Sequence, residues 1–315
     1  MNKKVVVLGG GTGMSFLIKG LKNFPLDITT IVSVCDDGRS TGKLRTEFNI
    51  PAVGDIRKIL IAFAETEPLV EKLLEYRFDT SSTLSGHTVG NLLLAASTNI
   101  TGNMSDGIEA LGKVLNLKGH VIPLTEDNVT LVGKMEDGSI IEGEHLITQS
   151  EKKVVDVYYK KKPRVKKEAL IAIKESDLIV LSMGSIYTSI LPNLICDEIL
   201  KEIDNSKAKI VYTCNLVTQP GETDDFKLSD HIKILNRYLG NRKIDVVIAN
   251  NGNIDEALAL KYSNLEQKLP VIIDAAETKK EHVKIISENL VTIENSLLRH
   301  DTLKLGYHIF SLLMR

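Results

Sequence analysis

The sequence predicts an α/β fold in which a mainly parallel, doubly wound sheet lies between two layers of helices. Short apolar runs recur along the 315 residues without polar–apolar alternation, as expected for parallel strands that are covered on both faces. Helical periodicity separates these runs, and such alternation of strand and helix is typical of a parallel sheet. The first run ends in glycines that open a helix. We therefore expect a three-layer, Rossmann-like architecture, with one α/β domain spanning residues 1–315.

The individual elements follow from the same patterns. Strands are predicted at 5–9, 28–36, 178–184, 209–215, 244–251 and 269–274. Helices are predicted at 14–23, 54–76, 89–98, 104–116, 165–175, 192–204, 228–238 and 254–261. At about 120–150 the rhythm changes, and the β-runs TLVGKM and SIIEGE are joined by Glu136-Asp137-Gly138. Asp-Gly between two such runs is a strong hairpin signal, so a small antiparallel β-hairpin excursion is expected there.

The composition is that of a soluble globular protein and argues against several functional classes. Hydrophobic residues make up 43% of the chain, and 39 basic against 41 acidic residues give a net charge of −2. This balance provides no general electrostatic reason to bind nucleic acid or an anionic membrane. No apolar stretch reaches the roughly 18–20 residues that span a bilayer. The three cysteines are widely spaced and form no C-x-x-C pair, so neither zinc nor disulfides are indicated, and a cytoplasmic protein is expected.

The segment VVVLGGGTGMSFLIKGL, residues 5–21, carries the strongest local signal. A dinucleotide fingerprint that starts at Gly9 would need its third glycine where Met14 stands, and no Gly-Lys-Ser/Thr follows to make a P-loop. Glycines permit close backbone approach, and free N–H groups at the start of a helix attract phosphate. We therefore predict that this turn binds phosphate, with a tight β–α turn as the alternative. The residues assigned to it are Gly10, Gly11, Thr12 and Gly13.

Two adjacent carboxylates, Asp36 and Asp37, follow the second predicted strand. An acidic residue here can hold a ribose hydroxyl, and the pair can instead bind Mg²⁺ together with phosphate oxygens. An Asx turn explains one aspartate comfortably and the pair less well. A flexible, hydroxyl-rich loop with Lys43 is expected next, and Asp55 is expected to cap or open the following helix. Asp36 and Asp37 are the catalytic and metal-binding candidates if the protein is an enzyme, and Mg²⁺ is the cofactor that they suggest.

Other polar candidates are uncharged. Asn91 precedes the apolar run LLLAA, so its buried amide must find partners. Ser185, Asn215 and Gln219 each come after a predicted strand, and donors of this kind suit a base or a sugar better than a bare phosphate. A simple turn is the alternative for the segment QPGE at 219–222.

Taken together, these segments resemble the 2-phospho-L-lactate transferase-like family, and within it the bacterial gluconeogenesis factor branch. The matching motifs are GGGTG, DDG-x-S-x-G-x-L-R, P-x-x-GDIR, GH-x-x-GNLLLA, GS-x-YTSI-x-PN, CNL-x-TQPGETD followed by SDH, and LLRHD-x-x-KL. They occur in order from residue 9 to residue 305, so the resemblance covers nearly the whole chain. The sequence departs from the family at Arg39, where a glycine is common, and at Lys58, where Asn is usual.

The resemblance implies a nucleotide site at the strand ends. Members of the bacterial branch bind UDP-sugars such as UDP-N-acetylglucosamine and are needed for normal cell shape and for growth on gluconeogenic carbon sources. The implied partners are thus a nucleotide sugar and an unidentified protein of cell-wall or central metabolism, with homo-oligomer formation left open. The nucleotide-sugar site carried over by motif comprises Gly11, Thr12, Gly13, Asp37, Asn215 and Gln219, with Arg299 expected at the diphosphate. Tyr262 is expected to stack on the base because of its position beyond the Asn250-Asn251 strand end, more than by motif. Gly10, Lys43, Asn91 and Ser185 are further candidates.

Two other functions remain open at this point. The transferase members of the family move a phospholactyl group from a guanosine diphosphate donor with Mg²⁺, so the alternative is a Mg²⁺-dependent transferase-like enzyme. An NAD(H)-binding protein is the third hypothesis, and the absence of the third glycine of the dinucleotide fingerprint counts against it.

Overall fold

Strands and helices alternate along the chain, and the structure, a computed structural model, describes residues 2–294 and 297–314. The strands are β1 (Lys3–Gly9), β2 (Leu26–Val32), β3 (His120–Pro123), β4 (Leu131–Met135), β5 (Ile140–Glu142), β6 (Val154–Tyr159), β7 (Leu178–Leu181), β8 (Lys209–Thr213), β9 (Val246–Asn250), β10 (Lys284–Glu288), β11 (Val291–Glu294) and β12 (Leu297–His300). The helices are α1 (Gly11–Leu21), α2 (Arg39–Phe48), α3 (Gly54–Phe63), α4 (Pro68–Glu75), α5 (Val89–Thr101), α6 (Met104–Val114), α7 (Glu144–Gln149), α8 (Lys167–Glu175), α9 (Leu191–Leu194), α10 (Asp197–Asn205), α11 (Leu228–Tyr238), α12 (Glu256–Glu266), α13 (Ala275–Lys280) and α14 (Thr302–Leu313). A π-helical turn (Ile186–Ile190) leads into α9.

Seven of the described strands form one parallel sheet in the order β10-β9-β8-β7-β1-β2-β3. The chain runs outward from β1 through β2 to β3 and then returns to begin a second series at β7, on the other side of β1. The winding therefore reverses between β1 and β7. Ligands of doubly wound folds bind beyond the carboxyl ends of the strands at such a switch point. The predicted mainly parallel α/β fold is confirmed.

The centre of this sheet is buried on both faces. Val5, Val6, Val7 and Leu8 of β1 are each at most 2% exposed. Because successive side chains of a strand point to opposite faces, both faces of β1 must be covered. This explains why the strand lacks polar–apolar alternation. Within the described ranges, no helix combines the length and apolarity needed to cross a bilayer.

The predicted antiparallel excursion is present, with different bounds. β4 and β5 form the hairpin around Asp137-Gly138, Gly138 has φ +82°, and β6 pairs with the other edge of β4. The segment 120–123 is instead the edge strand β3 of the parallel sheet. The small sheet therefore extends from Leu131 to Tyr159, beyond the predicted end at about 150.

Two predicted segments are wrong for reasons that lie outside local sequence. The expected flexible loop at 38–50 is largely the helix α2, because Arg45 is buried and its guanidinium donates to the carbonyls of Cys35 and Asp36 at 2.9 and 3.0 Å. Such anchoring outweighs weak helix propensity. The expected strand at 269–274 makes one isolated bridge, from Pro270 to Val217. Proline cannot donate to a ladder, so the run does not extend the sheet.

Proline also divides the long helix predicted at 54–76. α3 ends at Phe63, and α4 begins with Pro68 in its first turn, where the missing N–H costs nothing. Asp55 lies in the first turn of α3, as expected. Strand β10 and helix α14 were not predicted; both lie near the end of the chain, where the strand is only partly buried.

Candidate functional site

A cavity of about 780 Å³ opens at the carboxyl ends of β1, β7 and β8, at the switch point of the sheet. We call it the switch-point cavity. Its walls come from the start of α1, the segments that follow β7 and β8, helix α12 and strand β12. Its lining includes Thr12, Gly13, Phe16, Gly184, Asn215, Gln219, Tyr262, Arg299 and His300. Its volume falls within the range of about 300–1,000 Å³ that is typical of small-molecule sites.

The glycine turn allows backbone to form one wall of this cavity. Gly11 has φ +65°, a conformation that L side chains rarely adopt. A Cβ at Gly13 would overlap the carbonyl oxygen of Met183, so only glycine lets the end of β7 pack this closely against α1. Helix α1 begins without a side-chain cap on Gly10. Its first N–H groups and its positive dipole end are therefore suited to an anion.

The segments after β7 and β8 are held together by the amide of Asn215. Its Oδ1 accepts from the backbone N–H of Gly184, and its Nδ2 donates to the carbonyl of Gly184, both at 2.8 Å. Both ends of this amide are used within the protein. Asn215 thus shapes the cavity wall, and its role is that of a brace between the two segments.

A second brace is the carboxylate of Glu222, which is 2% exposed. It accepts from the Ser185 hydroxyl at 2.7 and 2.6 Å, from the Gln219 amide Nε2 at 2.8 Å and from the Tyr187 backbone N–H at 3.3 Å. Burial raises the pKa of Glu222 to about 7, and the hydrogen bonds from Ser185 and Tyr187 oppose that rise. Ser185 lies behind the cavity wall and contacts Glu222, whereas Gln219 lines the cavity itself.

Arg299 reaches the cavity from β12, near the end of the chain. Its guanidinium lies over the ring of Phe16 at 5.0 Å and donates to the carbonyl of Leu298. The ring orients the cation beside the first turn of α1. Arg299 and the glycine turn thus meet at the same cavity although Arg299 lies 286 positions after Gly13 in the sequence.

Tyr262 lines the same cavity but is only 6% exposed. Its hydroxyl accepts from the Leu298 backbone N–H at 2.9 Å, and its ring packs with Leu216 and Leu298. The phenol therefore fixes β12 against α12 and leaves little of the ring free. A base that stacks on it would meet the ring's small exposed part.

Asp37, Lys43 and Asn91 lie away from the switch-point cavity. Asp37 and Lys43 line a separate cavity of about 630 Å³ next to α2, together with Arg39, which has φ +43°. Asn91 lines a smaller cavity of about 180 Å³ and donates to the Ser40 hydroxyl at 3.1 Å. The structure does not bring these three residues to the nucleotide-sugar site assigned by motif.

The two adjacent aspartates are engaged by different elements. Asp37 accepts from the His145 backbone N–H at 2.8 Å, at the start of α7, and Asp36 accepts from the Gly38 N–H at 2.9 Å. Burial and the neighbouring Asp55 raise the pKa of Asp36. Among residues 2–294 and 297–314, no group of three or more His, Cys, Asp or Glu side chains is arranged to hold a metal ion. The two carboxylates are thus held by backbone N–H groups of different segments.

Sequence reasoning missed three residues of the site. Phe16 follows Gly13 by three positions, so helical periodicity could have placed it on the same face of α1. His300 adjoins Arg299, lines the cavity and is hydrogen-bonded through Nε2 to the Cys214 carbonyl at 3.0 Å. Glu222 was interpreted as part of a turn, and nothing in its local sequence indicates burial.

Comparisons with known proteins agree with this architecture. The family model described as 2-phospho-L-lactate transferase CofD matches residues 5–291. The chain is 42% identical over 311 residues to a protein named gluconeogenesis factor from Bacillus subtilis, covering 98% of each chain. It is 44% identical over 305 residues to a gluconeogenesis factor from Halalkalibacterium halodurans, covering 96% of this chain and 94% of the relative. A crystal structure of protein BH3568 from Bacillus halodurans superposes with a TM-score of 0.95 at 43% identity, covering 98% of this chain and all of the other.

Proposed function

The chain belongs to the 2-phospho-L-lactate transferase CofD family, and we propose that it is a gluconeogenesis factor whose switch-point cavity binds a nucleotide sugar of the UDP-N-acetylglucosamine type. The observation that carries this proposal is the meeting of an uncapped helix start, a guanidinium and an amide at one cavity. A diphosphate needs cationic and N–H donors, and a base or sugar needs neutral polar groups. The switch-point cavity offers both.

In this proposal, the backbone of Gly11, Thr12 and Gly13 receives the diphosphate. The helix dipole and the free N–H groups of α1 favour the negative charge. Arg299 adds a charge-assisted contact, and its stacking on Phe16 orients the guanidinium before the ligand arrives. Gln219 and the exposed edge of Tyr262 remain for the base or the sugar.

Binding, and not turnover, is the proposed activity. The ligand would favour one arrangement of the segment 216–226 and of α2 with its flanking turns, and would thereby change the surface that a protein partner meets. We propose a cytoplasmic regulator that links the supply of cell-wall precursor to gluconeogenic growth and cell shape, through a partner in cell-wall or central metabolism. Homo-oligomer formation is compatible with this role.

A Mg²⁺-dependent, phospholactyl transferase-like activity is the second candidate. The family description favours it, and Glu144 lies close enough to Asp36 and Asp55 for their charges to act on its carboxyl group. Burial and the nearby aspartates raise the pKa of Glu144 well above its ordinary value, as is common for groups at functional sites.

Calorimetric titration separates the two candidates. The protein would be titrated in parallel with UDP-N-acetylglucosamine, GDP and NAD, each with and without Mg²⁺. Selective binding of the UDP-sugar that needs no Mg²⁺ supports the regulator. Preference for GDP that requires Mg²⁺ supports the transferase, and phosphorus NMR would then detect turnover that is lost in Asp37→Asn.

Two arginine variants test where the UDP-sugar binds. Arg299→Ala should weaken binding. Arg164→Ala is the matched control, because the Arg164 side chain is 88% exposed and pairs with Asp127 outside the cavity. Equal affinities for the two variants would remove Arg299 from the site.

A further inference from the structure

The buried carboxylate of Glu222 is hydrogen-bonded to a residue that lines the switch-point cavity. Within 3.3 Å it collects donors from Ser185, Tyr187 and Gln219, and its side chain is 2% exposed. Glu222 does not itself line the switch-point cavity, whereas Gln219 does. The contact between Glu222 and the cavity therefore runs through a group that it holds, the Gln219 amide.

The chemistry of an ionised carboxylate fixes the direction of the Gln219 amide. A carboxylate only accepts hydrogen bonds, so the amide must turn its NH₂ group toward Glu222, with Nε2 at 2.8 Å. The carbonyl Oε1, at the other end of the amide group, then points away from Glu222. Asn215, in contrast, is oriented by Gly184, to which its Oδ1 and Nδ2 both bond.

We propose that Glu222 is a positioning residue that presents the Gln219 carbonyl to the switch-point cavity as an acceptor, so that the cavity selects a ligand with an N–H donor. This inference rests on the proposed function and names the ligand chemistry at that point. A UDP-N-acetylglucosamine ligand has two such donors, the imide N–H of uracil and the acetamido N–H of the sugar.

Protonation of Glu222 removes the constraint. Its pKa is raised to about 7 by burial, with a smaller contribution from the carboxylate of Asp224, and a protonated carboxyl can donate as well as accept. The amide of Gln219 is then free to adopt either orientation. Burial raises the pKa of Tyr187, which also faces Glu222, to about 12, and burial lowers that of His300, across the cavity, to about 4. Of these groups, Glu222 alone changes charge near neutral pH.

The test is calorimetric titration with UDP-N-acetylglucosamine, which has no titrating group of its own near neutral pH. For the unmodified protein, we expect affinity about three- to tenfold weaker at about pH 5.5 than at about pH 8, the effect of one neutral hydrogen bond. Glu222→Gln, which cannot ionise, should bind weakly at both pH values. Gln219→Ala keeps Glu222 and should also lose the pH dependence, and it covers the case in which Glu222→Gln fails to fold.

Two nucleotide sugars identify the donor. UDP-glucose has the uracil imide but a hydroxyl in place of the acetamido group. A pH dependence that UDP-glucose shares assigns the imide, and one confined to UDP-N-acetylglucosamine assigns the acetamido group; both support the inference.

Three results are distinguishable. No binding of either UDP-sugar at any pH refutes the proposed nucleotide-sugar site and, with it, this inference. Binding that is independent of pH in the unmodified protein refutes the role of Glu222 alone. If the affinity of Gln219→Ala still depends on pH, Glu222 acts on the fold in general, and the positioning role is overturned.

Discussion

Acid should destabilise this protein through His300, the imidazole that ends β12 against the switch-point cavity. The side chain is 9% exposed, and Nε2 is 3.0 Å from the carbonyl oxygen of Cys214, to which the neutral ring donates. Burial lowers the pKa of His300 from 6.5 to about 4, because a charged imidazolium would lose its hydration. The unfolded chain has no such constraint and takes up a proton at its ordinary pKa.

The sign and the size follow from this difference. A group whose pKa is lower in the folded state contributes stability above its unfolded pKa, and that stability is lost as pH falls toward the folded value. A shift from 6.5 to about 4 corresponds to about 3 kcal/mol in total, most of it lost by about pH 4.5. Burial lowers the pKa of His231 to about 4 as well, so it should contribute a similar, separate loss.

Substitution by Gln isolates the contribution of His300. His300→Gln keeps a side-chain N–H that can donate to the Cys214 carbonyl but has no charge to gain. Urea unfolding followed by circular dichroism would give the free energy of unfolding between about pH 7.5 and about pH 4.5, and the variant should lose about 2–3 kcal/mol less than the unmodified protein. His120→Gln is the control, because the His120 side chain is 70% exposed. Parallel curves for His300→Gln and the unmodified protein would refute the reasoning.

Three further predictions concern the same region. The pKa of Glu222 is about 7 in the folded protein against an ordinary 4.5, so the unmodified protein loses stability as this carboxyl ionises, and Glu222→Gln does not. The free energy of unfolding of Glu222→Gln should therefore rise relative to that of the unmodified protein by about 2–3 kcal/mol between about pH 5 and about pH 8. Urea unfolding at both pH values measures this difference, and a difference that does not change with pH contradicts the prediction. Arg299→Ala should weaken UDP-N-acetylglucosamine binding by roughly 1.5–3 kcal/mol, the value of a hydrogen bond to a charged group, as measured by calorimetry; an unchanged Kd contradicts it. Gly13→Ala should cost roughly 1–3 kcal/mol of stability in urea unfolding, because its Cβ would overlap the Met183 carbonyl oxygen; an unchanged unfolding midpoint would show that β7 can move away.

The parts of the fold that could be predicted are those set by neighbours in sequence. β1, the glycine turn and α1 follow one another within 19 residues, and apolar run, glycines and helical period appear there in order. The helix α11 was predicted at its observed bounds for the same reason. In contrast, α2 depends on a buried Arg45 whose partners include the carbonyls of Cys35 and Val129, and no local pattern shows that contact.

The site divides in the same way. Local sequence alone predicts that Gly11, Thr12 and Gly13 bind phosphate, whereas Arg299 was assigned through the resemblance, since a lone arginine carries no signal of its own. The structure brings Arg299 to the turn through Phe16. Asp37 was assigned to the same site and lies next to α2 and α7 instead, because its carboxylate accepts from the His145 N–H.

The ion pair of Asp55 and Lys58 lies beside the start of α1 and sets the charge at the predicted diphosphate position. The Asp55 carboxylate lies beside Gly10, where it adds negative charge close to the predicted diphosphate position. Lys58 is 2.9 Å from that carboxylate; burial acts against its charge, but Asp55 and Asp36 hold the pKa of Lys58 above its ordinary value. A paired carboxylate repels an incoming phosphate less than a free one. If a diphosphate binds at the start of α1 as proposed, Lys58 should therefore reduce the repulsion that the Asp55 carboxylate exerts on it.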